Sequence, residues 1–92
     1  MKVLVLEPAV EDLEAIHGSI ARDGPRAADD FIESIRAHLN SIADTGFGGI
    51  GRPGRGRGTR ELVHGRYVIV YRYDPQTDEI LVISVVNGAR RR

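Results

Sequence analysis

The 92-residue chain is expected to fold as an α+β domain of order β-α-α-β-β-β, a helical hairpin packed on a small, mainly antiparallel sheet. Three observations predict this. Apolar residues recur at helical spacing in two runs parted by Asp23-Gly24-Pro25. A short apolar segment precedes them. Three strand-like segments follow, joined by turns too short for a crossover, so they form an antiparallel meander. Grouped rather than alternating helices and strands give α+β.

The first strand is Lys2-Val3-Leu4-Val5-Leu6, apolar on both faces and so expected to be covered. Pro8 suits the first turn of a helix, where its missing N–H costs nothing. Glu7, Glu11 and Asp12 bring negative charge to that helix's positive end. Val10, Leu13, Ile16, His17 and Ile20 form one face of a helix over about residues 8–22. Gly24 can end it and Pro25 can open the next. In the second helix Ala28, Phe31, Ile32, Ile35, Leu39 and Ile42 share a face, with Asp29, Asp30, Glu33, Arg36 and Asn40 opposite. The expected core is Leu13, Ile16, Ile20, Phe31, Ile35, Leu39 and Ile42 against Val70 and Val82.

Gly46 to Gly58 holds seven of the eleven glycines and reads as a loop. The strands are Thr59–Val63, Tyr67–Tyr73 and Ile80–Val86, with turns at His64-Gly65-Arg66 and over 74–78. The first strand can enter the sheet only beside a meander strand. The other sheet face is left open, and loop arginines can converge there. Tyr67, Tyr71 and Tyr73 alternate with one parity, which favours packing in the sheet over base stacking.

Composition narrows the chemistry. Apolar residues make up 41% and charged residues 28%, a globular balance. With no cysteine, a disulfide scaffold, a thiolate zinc site and a cysteine nucleophile are excluded. Three scattered histidines lack metal-ligand spacing, so no metal or cofactor is expected. The longest apolar run, Ile80 to Val86, is far short of the ~20 residues of a membrane span. Glu7, Glu11, Asp12 and Glu14 make residues 1–20 unlike a secretory signal. The net charge of zero conceals a dipole of −5 over residues 1–50 and +5 over 51–92. The basic half contains arginine and no lysine, which favours phosphate or carboxylate partners over a merely solvated surface.

The loop carrying Arg52, Arg55 and Arg57 has no Gly-Lys-Ser/Thr ending and opens no helix, so known nucleotide loops are disfavoured. It is either a flexible connection or a basic arm. Metal-free RNA cleavage needs a base, an acid and cations at the phosphate. Arg60, Arg66, Arg72 and Arg90 can supply cations, and His64 or Glu61 a base. A histidine in a turn is more often simply exposed, and Glu61 is favoured as an ion-pair partner. His17 and His38 are expected at the surface or its boundary.

Five segments in order carry a resemblance to the ParE branch of the RelE/ParE toxin superfamily. They are Pro8–Ile16, Pro25-Arg26-Ala27-Ala28 with Phe31 and Ile35, the pair Gly51–Arg55 and Gly58–Leu62, Tyr67–Arg72, and Val86-Asn87-Gly88-Ala89-Arg90. The resemblance spans nearly the whole chain as one RelE/ParE-like toxin domain, residues 1–92. It implies a cytoplasmic toxin neutralised by a small ParD-like antitoxin, in a toxin–antitoxin hetero-oligomer. ParE-type toxins inhibit DNA gyrase, whereas RelE-type relatives cleave mRNA on the ribosome. The nuclease pattern departs here at Val68, Thr59, Glu61 and Asn87, and the chain ends at Arg92 without the tyrosine that RelE-type nucleases place after the last arginine. The expectation is therefore binding without a catalytic residue. Arg60, Arg66, Arg72 and Arg90 are the candidates for target or antitoxin contact. Direct nucleic-acid binding is not expected. A RelE-like endoribonuclease and a non-toxic antitoxin-binding module are the alternatives.

Overall fold

In the computed structural model residues 1–46 and 50–91 are described, 90 and 91 by backbone alone. Strand β1 (Lys2–Val5) leads into α1 (Glu7–Ala21) and α2 (Pro25–Thr45). Then come β2 (Arg52–Pro53), β3 (Arg60–His64), β4 (Tyr67–Asp74), β5 (Glu79–Asn87) and a 3₁₀ turn (Gly88–Arg91). The sheet order is β1-β5-β4-β3-β2, with β1 parallel to β5 and the other pairs antiparallel.

The hairpin forms where the periodicity places it. Pro25 opens α2, and Gly46 closes it in the left-handed conformation at φ 70°. Gly24 is extended and links the two helices. Its N–H reaches the Ile20 carbonyl at 3.1 Å, and its own carbonyl accepts the Ala28 N–H at 3.1 Å. Ile16, Ile35, Leu39 and Ile42 are buried against Leu62, Ile69, Tyr71, Ile80, Val82 and Val85. Each such burial is worth roughly 1.5–3 kcal/mol. Leu13, Ile20 and Phe31 pack at the margin of this core and are only partly buried.

Two core expectations are corrected. Val70 is buried but faces away from the helices, paired across the strands with Glu61 and Ser84. Strand alternation requires this once Ile69 and Tyr71 take the helix side. Strand β1 is not covered on both faces. It is an edge strand with a single neighbour, and Leu4 and Val5 remain 38% and 39% exposed.

From Gly51 on, the glycine-rich segment is not a plain loop but holds the short strand β2. Tyr71 is fully buried, so its hydroxyl must find a partner. The Gly51 N–H donates to it at 2.8 Å. That contact brings the chain back beside β3 as β2, with Arg52 opposite Glu61 and Pro53 opposite Arg60. A second anchor ties helix to sheet. The register shifts between Val70 and Tyr71, and the Val85 N–H turns to the Asp12 carboxylate on α1 at 2.9 Å.

Truncating Ile35 to Ala is expected to cost about 2–5 kcal/mol in thermal or denaturant unfolding. At Gly51 a Cβ would lie 2.7 Å from the Tyr71 hydroxyl and 2.8 Å from the Glu61 carbonyl oxygen. Gly51→Ala should therefore cost about 1–3 kcal/mol, although the residue lies in a segment that sequence reading treats as loop.

Candidate functional site

Arginines gather on the sheet face that the helices leave open. Glu61, Val63 and Val68 stand on that face by strand alternation. Arg52 and Arg55 from the glycine-rich segment and Arg66 from the β3–β4 turn join them around a cleft of about 370 Å³. Glu61 is only 5% exposed, and burying a lone carboxylate is costly. Its carboxylate meets the Arg52 guanidinium at 3.3 Å across the β2–β3 pairing. Three guanidiniums against one carboxylate leave the cleft net positive. Such a site suits a planar anion, which arginine can bind through two parallel hydrogen bonds.

The other candidate arginines separate. Arg60 points to the helix side and donates to the Gly51 carbonyl at 3.0 Å, so it holds the segment that carries Arg52. Arg72 is exposed and donates to the Arg57 carbonyl at 3.4 Å. Neither Arg57 nor Arg72 lines the cleft. The side chain of Arg90 lies outside the described residues. Asn87 accepts the Ala89 N–H at 3.0 Å and so caps the closing 3₁₀ turn, while the Gly88 N–H donates to the Arg66 carbonyl at 2.7 Å. The closing motif thus has a local structural use in holding the turn that bears Arg66.

Sequence reading missed a cluster on the opposite face. His64 ends β3 on the helix side, half-buried rather than exposed in a turn. Its Nδ1 lies 2.9 Å from Nδ1 of His38, and its Nε2 lies 2.9 Å from the Ser34 hydroxyl. The Ser34 O–H donates to the Phe31 carbonyl at 2.6 Å. Phe31 also packs against His64 edge-on and against Tyr67. Ser34 and His38 are four residues apart on α2, a spacing that a helix turns to one side. No sequence signal joins them to His64, 26 residues beyond His38. Burial, and then the repulsion of His38, lower the proton affinity of His64 below the usual histidine value. His17 instead pairs with Asp29 at 2.8 Å, bridging the two helices.

A third feature is apolar. Val3 and Val5 of β1 face Leu13, Ile32, Ile35 and Leu39 across a groove of about 210 Å³, with Arg36 and Asn40 also lining it. Leu4, Leu6 and Val10 are exposed nearby in sequence. Among the described residues no three His, Cys, Asp or Glu side chains converge as a metal site, and no helix is long and apolar enough to cross a membrane.

The family model described as the ParE toxin of type II toxin–antitoxin system, parDE, matches residues 3–92. The chain belongs to the ParE toxin family. A chromosomal ParDE toxin–antitoxin system from P. aeruginosa resembles this ParE-family chain with a TM-score of 0.80 at 22% identity, covering 95% of each chain. The toxin–antitoxin complex RelBE2 from Mycobacterium tuberculosis gives a TM-score of 0.63 at 22% identity, over 94% of this chain and 95% of that one. At these identities the likeness concerns the fold alone. No curated protein matches the chain.

Acid should destabilise this ParE-family chain through His64. An unfolded chain takes up the His64 proton near pH 6.5, while the folded chain resists it. The stability from this group is therefore full above about pH 6.5 and is lost as pH falls through the lower, folded value. The melting temperature should drop as pH falls below about 6.5, and His64→Gln should flatten that drop. An unchanged slope in the variant would assign the pH dependence elsewhere.

Proposed function

We propose that this ParE-family toxin acts by binding its target through the arginine cleft, without bond-breaking chemistry of its own. DNA gyrase is the target that its ParE-type resemblance suggests, which would make the cytoplasm its site of action. The observation that carries the reading is the separation of charge from base. Arg52 and Arg55 lie on the open sheet face, Arg66 stands at the end of the sheet where it lines both this cleft and hollows beside α1, and His38 and His64 lie on the helix side. The carboxylate within the cleft, Glu61, is engaged by Arg52. Phosphate attraction without a positioned base forgoes a factor of ~10²–10⁴ in RNA cleavage.

A small ParD-like antitoxin fits the apolar groove between β1 and α2. Val5, itself exposed, lines the groove, and the outer edge of β1 offers backbone hydrogen bonds. An amphipathic segment that orders on this surface would bury apolar area, and acidic residues in it would complement the basic half of the chain. The toxin and antitoxin then form a hetero-oligomer.

Two experiments test this. Expression without antitoxin should induce the DNA-damage response and leave ribosome-bound mRNA uncut. Arg66→Ala should reduce that toxicity with its melting temperature unchanged. Codon-specific mRNA cleavage by the purified chain would instead establish the nuclease alternative. Calorimetry of antitoxin binding should give a negative heat-capacity change, and Val5→Asp should weaken it. A heat-capacity change near zero would rule out coupled apolar burial.

A further inference from the structure

We propose that His38 and His64 form a two-imidazole site for a borderline divalent transition-metal ion of the Zn²⁺ type, which clamps α2 to the end of β3. Water completes its coordination. Two independent observations carry this.

The first is the approach of the two Nδ1 atoms to 2.9 Å, with the rings tilted by 37°. At metal–nitrogen bonds of about 2.0–2.1 Å, neighbouring nitrogens stand about 2.9 Å apart in a square-planar site and about 3.3–3.4 Å apart in a tetrahedral one. The pair therefore needs to open by only a few tenths of an ångström for tetrahedral zinc, with a rotation of the rings that turns both lone pairs to a common point. Both rings are half-buried, so water retains access to them.

The second observation is the hydrogen-bond relay behind His64. Because the Ser34 O–H is committed to the Phe31 carbonyl, its oxygen must accept from His64, which places the His64 proton on Nε2. In neutral His64 the lone pair then sits on Nδ1, aimed at His38. This is how a ligating histidine is held, with the far ring nitrogen donating to a fixed outer partner. The lowered proton affinity of His64 acts in the same direction by keeping the ring neutral. In the metal-free chain His38 fills the position with its Nδ1–H. Metal binding moves that proton to Nε2 of the same ring, so a neutral pair gains the ion with no net proton release.

Neither histidine lines the arginine cleft. An ion here would bridge 26 residues of sequence and act as a staple between helix and sheet.

The test uses the full, untagged chain with Zn²⁺ as the probe. Titration should be saturable at one ion per chain. At a hundredfold excess over Kd the melting temperature should rise on the order of 10 °C, and His38→Asn and His64→Asn should each abolish the rise. A second readout on the wild-type chain covers the case of a variant that does not fold. Nitrogen NMR of the imidazoles should show Zn²⁺ shifting Nδ1 of both His38 and His64, with His17 unmoved. No saturable binding, tight binding that survives in folded His38→Asn, or shifts confined to His17 would each overturn the proposal.

Discussion

The burial of the Tyr71 side chain is the constraint on which the other features rest. It is fully enclosed in the central strand β4, and its ring helps to fill the core. A phenol so placed has a hydroxyl that water cannot reach. The Gly51 N–H meets it, and only a residue without a Cβ can approach so closely. From this single contact the chain runs back along β3 as β2. Arg52 then meets Glu61, and Arg60 reaches the Gly51 carbonyl from the other side. The apolar core and the polar cleft on the opposite face are thus joined through one residue.

The sheet separates two kinds of chemistry by its thickness. Alternation along β3 sends Glu61 and Val63 to the open face, and Leu62 and His64 to the helices. Arginines on the open face meet solvent and a buried carboxylate. The histidines on the closed face meet each other, a serine and an aromatic ring. The imidazoles and the arginine cleft are thus held apart by a packed layer.

The helical hairpin leaves the opposite edge of the sheet unfinished. β1 pairs only with β5, and α2 covers it incompletely, so an apolar groove remains beside an unpaired strand edge. An exposed apolar strand edge invites association with another chain. A partner that adds hydrogen bonds along β1 would remove that liability.

Much of the fold was legible in the sequence because it rests on local periodicity and turn chemistry. The steps of α2 from Ala28 to Ile42, Pro25 at its start, and the short turns after His64 and Tyr73 determine two helices and a meander in order. The ordered segments shared with ParE toxins likewise lie in the sequence itself. Only the tertiary structure decided which face each strand presents, since Val70 and β1 depend on neighbours that periodicity does not name. It alone separated Arg60, Arg57 and Arg72 from the cleft formed by Arg52, Arg55 and Arg66. It alone joined His38 to His64, for their meeting depends on how α2 lies across β3. Such contacts are set by packing between elements distant in sequence, where neither spacing nor composition carries a signal.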